Sequence, residues 1–321
     1  MNLAATVALF AAATVSGFAQ ASTSGQTLPL WAYPVAPGST TSATVDATPR
    51  RAAGSTQTFA NAQIKDLFVA PDWFPDDHPK MPDPVGVGRK PAVFACGYCH
   101  LPNGLGRPEN QSIAGLPKEY ILQQVKDFAA GTRHSAEPRM PSCAYMVAES
   151  KAVTPEEMAI SAEYFSKLKL TKWIRVVETD TVPKTRIVGG MLVAEASGTE
   201  PIGSRVIEVS EDLEQTELRN ERSGFVAYVP TGSLKVGEAL VKTGGNGKTM
   251  SCGMCHGANL KGVANVPGIA GRSPSQMARA LIDFRTGARN SQQSAMMKMT
   301  VAKLTDDDVV AITGYLASQE P

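Results

Sequence analysis

Two short segments of this 321-residue chain place two thiols and an imidazole at the same fixed spacing. They read CGYCH at residues 96–100 and CGMCH at residues 252–256. In a C-x-x-C-H segment both thiols can add to the vinyl groups on one edge of a porphyrin, and the histidine can reach the iron. The sequence therefore predicts two covalently bound haem c groups. The attachment cysteines and iron-binding histidines are Cys96, Cys99 and His100 in the first segment and Cys252, Cys255 and His256 in the second.

Other roles for paired cysteines fit the spacing less well. A zinc ribbon needs its pairs about 15–20 residues apart, whereas 152 residues separate Cys99 from Cys252. A thioredoxin-like pair needs a βαβ context, which the surrounding sequence does not supply. A structural disulfide would not require a histidine after each pair. Covalent haem attachment is therefore the interpretation that accounts for both motifs.

The two motifs lie in two copies of a longer unit. A shift of 156 positions carries the first motif, residues 113–115 (IAG) and residues 127–128 (DF) onto the second motif, 269–271 and 283–284. After a five-residue deletion in the second copy, a shift of 151 carries Thr154 onto Thr305. Matched spacing over about 75 residues indicates duplicated domains. Apolar residues at helical spacing and S/T-x-x-D/E helix starts predict that both copies are mainly α.

With these elements the chain resembles the di-haem class I cytochromes c of the c-four type, over residues 91–170 and 232–320. The shared elements are the C-x-x-C-H motifs, I-A-G, D-F-x-x-G-x-R and L-T-D-x-D. The resemblance implies two class I cytochrome c domains in which each iron has one histidine and one methionine ligand. It places the methionine eight residues before the cap of the last helix, at Met146 and Met297. The 151-residue shift carries Met146 onto Met297, which supports the same pair independently.

Two more methionines flank the predicted ligand of the second iron. At the 151-residue shift, Met296 and Met299 correspond to Tyr145 and Ala148 of the first copy, so neither has a methionine counterpart in the register that pairs Met146 with Met297. Because methionine is an adaptable apolar side chain, we expect both to pack around the haem edge.

The first iron has two further candidate ligands. Met140 has no methionine counterpart at the 151-residue shift, which carries it onto Ser291, and is otherwise expected to be structural. Cys143 is the fifth cysteine, and a cysteine thiolate can also bind haem iron; its alternative role is that of a small buried apolar residue. Outside the motifs, His78 and His134 are expected to be surface histidines, with a distal or bridging iron ligand as the alternative.

A histidine that binds iron needs a hydrogen-bond partner for its second ring nitrogen. The resemblance implies that the carbonyl group of Pro267 orients His256. The first copy has Gln111 at the corresponding position, which departs from the family pattern although its carbonyl group could serve His100 in the same way.

The chain divides into five segments. Residues 1–21 are predicted to be a signal peptide, because the segment is small and apolar and ends in an A-x-A cleavage pattern. Residues 22–90 form a Pro/Ser/Thr-rich extension whose Trp31 and Trp73 either hold it against a haem domain or face a partner. Residues 91–170 and 232–321 are the two cytochrome c domains, and residues 171–231 form a β-like insertion between them. The predicted fold class is mainly α, with the two domains joined by a partly β insertion and preceded by an extended N-terminal segment.

Composition and charge limit the function. A net charge of +1 argues against nucleic-acid binding. Beyond the N-terminus the sequence has no run of about 18 apolar residues, so no internal membrane span is expected. We expect a periplasmic electron carrier with redox proteins as partners: a dehydrogenase or quinol oxidase upstream and an oxidase downstream, in a complex that could associate with a membrane. Two alternatives stay open. One is a di-haem enzyme of peroxidase or thiosulfate-oxidising type, with Cys143 or an open site at the first haem; the other is a dedicated electron-transfer subunit of a dehydrogenase.

Overall fold

The computed structural model describes residues 28–36 and 47–321. The predicted signal peptide, residues 1–21, lies outside these residues. The elements of the described N-terminal extension are β1 (Pro49–Arg50), β2 (Phe59–Ala60), α1 (Asn61–Ile64) and α2 (Asp83–Gly86). Strands β1 and β2 pair in antiparallel fashion. Across the described residues, no helix combines the length and the apolar character needed to span a membrane.

The two tryptophans of the extension are buried in different parts of the molecule. Trp31 packs in the core of the second repeat unit. Trp73 is 1% exposed, packs against Leu218 of the insertion, and donates its indole N–H to the Leu218 carbonyl oxygen at 2.8 Å. The extension is therefore held to the second repeat unit at one point and to the insertion at the other. Neither tryptophan is an exposed contact surface.

The first repeat unit, residues 91–170, is called the first lobe below. Its helices are α3 (Cys96–His100), α4 (Lys118–Ala129), α5 (Pro141–Ala152) and α6 (Pro155–Lys167). Helix α6 begins where the sequence predicts, because the Thr154 hydroxyl accepts from the Glu157 N–H at 3.2 Å and the Glu157 carboxylate accepts from the Thr154 N–H at 2.8 Å. Phe165 and Leu168 then bury the inner face of α6 against Val85 of α2.

The insertion between the lobes contains both strands and one helix. Its elements are β3 (Ile174–Glu178), β4 (Thr181–Val188), β5 (Met191–Pro201), β6 (Ile207–Ser210), α7 (Leu213–Glu217) and β7 (Phe225–Val229). Strand β7 pairs in parallel with β3 and antiparallel with β6. Strands β4 and β5 form a separate hairpin with a two-residue turn at Gly189 and Gly190, whose φ values are 58° and 86°. Positive φ at both positions is the geometry of a type I′ turn, which favours glycine.

The second repeat unit, residues 232–321, is called the second lobe. Its elements are α8 (Ser233–Thr243), α9 (Gly253–His256), α10 (Pro274–Thr286), a 3-10 turn (Gln292–Ser294), α11 (Ala295–Val301) and α12 (Asp306–Ser318). The hydroxyl groups of Ser273 and Thr305 cap α10 and α12. Helix α8 crosses α12 at Gly237, where a Cβ atom would lie 2.0 Å from the Ala311 carbonyl oxygen. The two helices can approach this closely only because residue 237 has no side chain.

The lobes meet at equivalent positions of the repeat. Arg133 and Arg289, which the 156-residue shift superposes, form an antiparallel bridge. The backbone N–H groups of His134 and Asn290 donate to carbonyl oxygens of the facing segment at 2.9 and 2.7 Å. Because each lobe contributes the same part of its repeat, this junction has local two-fold symmetry.

Candidate functional site

The first attachment segment is a single turn of helix, α3. It follows Ala95 in an extended conformation and ends at Leu101, whose φ of 63° stops the helix directly after His100. This turn brings Cys96, Cys99 and His100 together in a largely apolar environment. Burial raises the pKa of Cys96 to about 11 and also raises the pKa of Cys99, whereas burial lowers the pKa of His100. The thiols are therefore protonated and the imidazole is neutral at pH 7, as expected for buried groups.

Both predicted ligand histidines are oriented by a backbone carbonyl group. The His100 Nδ1 atom lies 2.8 Å from the Gln111 carbonyl oxygen, and the His256 Nδ1 atom lies 2.7 Å from the Pro267 carbonyl oxygen. A carbonyl oxygen can only accept, so Nδ1 carries the proton and Nε2 keeps its lone pair for a metal. The orientation expected at Pro267 is present, and Gln111 provides the same hydrogen bond despite its different side chain.

One cavity of the first lobe collects the donor atoms that a haem needs. Cys96, Cys99 and His100 line it from α3, and Met146 lines it from α5. The remaining lining is largely apolar and comes mainly from α4, α5 and α6, including Phe128, Met158 and Phe165, with a contribution from α10 of the second lobe. Two thiols, one imidazole and one thioether around a single apolar cavity fit a covalently attached haem with two axial ligands.

Met140 and Cys143 line the same cavity, so the structure brings all candidate ligands of the first iron together. Met140 is 1% exposed, and its methyl group lies 3.3 Å from the position that a Cβ atom on Gly190 would take. Its side chain therefore packs against the turn of the β4–β5 hairpin. Cys143 lies one helical turn before Met146 on α5 and is partly buried. Burial raises the pKa of Cys143, and the charge of Asp283 raises it further.

The three clustered methionines of the second lobe differ in how far their side chains are buried. Met297 packs against the same core cluster as Cys252 of the second attachment segment. Met296 and Met299 are 52% and 63% exposed. Neither side chain packs into the protein core, and the expected packing of both around the haem edge stays a prediction. Met296 and Met299 lie three positions apart on the exposed side of α11, whereas Met297 is partly buried.

A group of arginines lines the first cavity at the junction between the lobes. The guanidinium groups of Arg133 and Arg289 lie 4.3 and 4.1 Å from the ring centres of Phe128 and Phe284, and both donate to the Gln124 side-chain oxygen. Burial, together with the neighbouring charge of Arg289, lowers the pKa of Arg133 to about 10. Two buried positive charges hydrogen-bonded to neutral groups favour an anionic group beside them, such as a haem propionate. The D-F-x-x-G-x-R repeat was the sequence signal for this pair.

The two remaining histidines differ from each other. His134 is exposed, as the sequence analysis expected. His78 is not a surface histidine: its side chain is 2% exposed and its Nε2 atom lies 3.3 Å from the Asp72 carboxylate. The expectation for His78 was wrong because its burial depends on the insertion, which is about 140 residues away in sequence, and no local pattern in the Pro-rich segment reports that contact.

Comparison with known proteins identifies related chains. The cytochrome c family model matches residues 237–320. The chain is 34% identical over 226 residues to cytochrome c4 of Pseudomonas aeruginosa, which covers 69% of this chain and 82% of that protein. It is also 34% identical over 235 residues to a thiosulfate dehydrogenase electron acceptor of Stutzerimonas stutzeri, which covers 72% of this chain and 82% of that protein.

Among solved structures, reduced cytochrome c4 from Pseudomonas stutzeri superposes with a TM-score of 0.47 at 22% identity, over 70% of this chain and 93% of that one. The family assignment rests on the sequence relatives, which match over most of their own length. The chain therefore belongs to the di-haem class I cytochromes c, as an electron-transfer protein with two covalently bound haem c groups.

Proposed function

We propose that His100 and Met146 are the axial ligands of the first haem iron, that His256 and Met297 are those of the second, and that the four attachment cysteines are Cys96, Cys99, Cys252 and Cys255. The observation that carries this proposal is the common cavity of the first lobe, where α3 presents the thiols and imidazole and α5 presents the thioether. His100 and His256 each hydrogen-bond to a backbone carbonyl oxygen, which supports the same ligand role for the histidine in both lobes.

Helix position supports Met146 over Met140 as the ligand of the first iron. Met146 lies on α5 and Met297 on α11, and each of these helices directly precedes the capped last helix of its lobe. Met140 precedes α5 and packs against the hairpin turn at Gly190, so its methyl group already has a structural partner. To bind the iron, the Met140 side chain would have to leave its contact with the hairpin turn.

Two histidine–methionine irons favour a carrier over an enzyme. When bound, each haem supplies one iron that takes up and releases a single electron, and methionine ligation favours the reduced state. Six ligands leave no open position for a substrate. The chain's own residues orient the histidines, exclude water from the first cavity and offer positive charge at the lobe junction.

We propose the second lobe as the side through which electrons enter or leave. Cys255 is exposed, and the adjacent Met254 is 76% exposed. Val263, which is 56% exposed, contacts the same segment at Gly257. An apolar surface beside a haem edge suits a transient redox partner, because such contacts must form and break quickly.

The partners we propose are a dehydrogenase or quinol oxidase as donor and an oxidase as acceptor, in the periplasm after removal of residues 1–21. A donor that oxidises a sulfur compound is the second candidate. It is favoured by the relatives named as a thiosulfate dehydrogenase electron acceptor and as a cytochrome subunit of sulfide dehydrogenase. Sequencing the N-terminus of the protein from a periplasmic fraction tests the location, because a mature chain starting near residue 22 is expected.

Single substitutions in the haem-loaded protein test the ligands. Met146→Ala and Met297→Ala should each remove one of two sulfur-to-iron charge-transfer bands and convert one haem to a high-spin spectrum. Met140→Ala and Met299→Ala are matched controls that should keep both bands. If Met140→Ala removes a band and Met146→Ala does not, the assignment at the first iron is wrong.

Cys143→Ala separates the carrier from the enzyme alternative. We expect the variant to keep both bands and its low-spin spectrum, since Cys143 is a partly buried thiol on α5. A thiolate-type spectrum in the wild-type protein that disappears in Cys143→Ala would refute the carrier proposal for the first lobe.

A further inference from the structure

Three potential metal ligands from distant parts of the chain meet beside the first lobe. Asp72 and His78 come from the N-terminal extension, and Glu221 comes from the insertion. One carboxylate oxygen of each acid and one ring nitrogen of His78 all lie within 4.8 Å of one another. The His78 side chain is 2% exposed and Glu221 is 1% exposed. Such a cluster takes one carboxylate and an imidazole out of water and partly buries a second carboxylate, which is unfavourable unless something compensates the charge.

The hydrogen bonds of His78 determine which ring nitrogen faces the acids. Its Nδ1 atom lies 2.9 Å from the Pro79 carbonyl oxygen, so Nδ1 carries a proton. The Tyr164 hydroxyl oxygen lies 3.1 Å from the same nitrogen and donates its own proton to the Pro102 carbonyl oxygen at 2.8 Å. The Nε2 atom then points its lone pair at the Asp72 carboxylate, 3.3 Å away. Two acceptors can face each other at this distance only with a cation or a second proton between them.

Glu221 provides an independent sign that a positive group belongs here. One of its carboxylate oxygens accepts from the Phe74 N–H at 2.9 Å. The other, Oε2, is buried and has no hydrogen-bond partner within the described residues.

We propose that Asp72, His78 and Glu221 bind one divalent transition-metal ion, with Zn²⁺ as the best match. Nitrogen and two carboxylate oxygens suit Zn²⁺, whereas Mg²⁺ and Ca²⁺ prefer oxygen alone. In a tetrahedral site with bonds of about 2.0–2.1 Å, ligand atoms are about 3.3 Å apart, which equals the Asp72–His78 separation. The Glu221 carboxylate oxygen lies within 4.8 Å of both other ligand atoms.

The surroundings complete the site. The hydrogen bond from Nδ1 to the Pro79 carbonyl group is the orienting contact that metal-binding histidines usually have. His78 and Glu221 line an open cleft, which provides an entry path and a fourth position for water. The nearby Arg222 is neutralised by Asp77 at 2.6 Å, so it does not repel a cation.

The bound ion would join three segments that are far apart in sequence. It would tie the extension to the insertion, and through Tyr164 to α6 of the first lobe. None of the proposed axial haem ligands takes part, so failure of either proposal leaves the other intact.

Zinc titration of the haem-loaded, full-length protein tests the proposal. After treatment with a chelator and its removal, ZnCl₂ is titrated by calorimetry, with MgCl₂ as the comparison ion. We expect one Zn²⁺ per chain, no comparable Mg²⁺ binding, and a melting temperature that rises with Zn²⁺. Absence of stoichiometric Zn²⁺ binding by the wild-type protein overturns the proposal.

Substitutions inside and outside the cluster test where the ion binds. His78→Ala and Glu221→Gln should each weaken Zn²⁺ binding by at least about 10-fold, and Asp72→Asn, at a partly exposed position, replaces Glu221→Gln if that variant does not fold. His134→Ala and Asp76→Asn are matched controls outside the cluster and should bind like the wild type. Unchanged binding in the cluster variants, or equal loss in the controls, would show adventitious surface binding and overturn the proposal.

Discussion

Replacing Arg272 with alanine tests whether the two lobes form one stable unit. Arg272 lies just before α10 in the second lobe and is 5% exposed. Its guanidinium group donates to the Ser112 and Ala114 carbonyl oxygens of the first lobe at 2.9 and 3.1 Å, and to the Gly268 carbonyl oxygen of its own lobe at 2.7 Å. Truncation removes the donor from these three carbonyl oxygens and from the Ser112 hydroxyl oxygen, 3.2 Å away.

The substitution is expected to remove stabilising hydrogen bonds and, at the same time, to relieve the unfavourable burial of a charged group. Each buried carbonyl oxygen left without its donor costs about 2 kcal/mol, so three cost about 6 kcal/mol. Burial lowers the pKa of Arg272 from 12.5 to about 10, and relief of this burial returns about 3 kcal/mol. We therefore expect Arg272→Ala to lower the free energy of unfolding by about 3 kcal/mol.

Unfolding of the haem-loaded protein in guanidinium chloride, followed by far-ultraviolet circular dichroism, measures the change. Arg51→Ala is the matched control, because Arg51 is exposed and, among the residues that the structure describes, its guanidinium group donates only to the Thr58 hydroxyl, at 3.4 Å; a change within about 0.5 kcal/mol is expected. A loss below about 1 kcal/mol in Arg272→Ala would refute the reasoning, since the lobes would then be held together without these bonds.

Two further predictions concern the packing of α8 and the start of α6. Gly237→Ala should destabilise the protein by about 1–3 kcal/mol, because the new Cβ would lie 2.0 Å from the Ala311 carbonyl oxygen; the exposed neighbour Val236→Ala should change the melting temperature little. Glu157 hydrogen-bonds to Arg89, which lowers its pKa from 4.5 to about 2. Because the folded pKa is the lower one, this stabilisation is present above about pH 4.5 and is lost as the pH falls towards 2. Glu157→Gln should therefore lower stability by about 1 kcal/mol at pH 7 and by less at pH 3 in urea titrations; an equal loss at both pH values would contradict this explanation.

The parts of the structure that were predictable depend on contacts close in sequence. The C-x-x-C-H spacing needs only one helical turn, and α3 supplies it. The caps at Thr154 and Thr305 are formed by residues three positions further along, so their patterns are readable in the sequence. The repeat added long-range information, because superposing its copies paired Met146 with Met297 and Arg133 with Arg289.

The remaining features depend on contacts between segments that have no common pattern. Nothing near His78 predicts that Glu221 covers it, and nothing near Met140 predicts the hairpin turn at Gly190. Burial of Trp73 against Leu218 has the same origin. The insertion forms all three contacts, and it lies outside the repeat, so the comparison between copies could not reveal them.

The most direct test of the account is the number of methionine-ligated irons in the wild-type protein. Magnetic circular dichroism of the oxidised, haem-loaded protein resolves the sulfur-to-iron charge-transfer band, and the pyridine haemochrome assay gives the haem content. The account predicts two haems and two equivalents of the methionine band per chain. One equivalent, with a high-spin or thiolate-ligated second haem, would contradict the proposal that both lobes are closed electron-transfer sites.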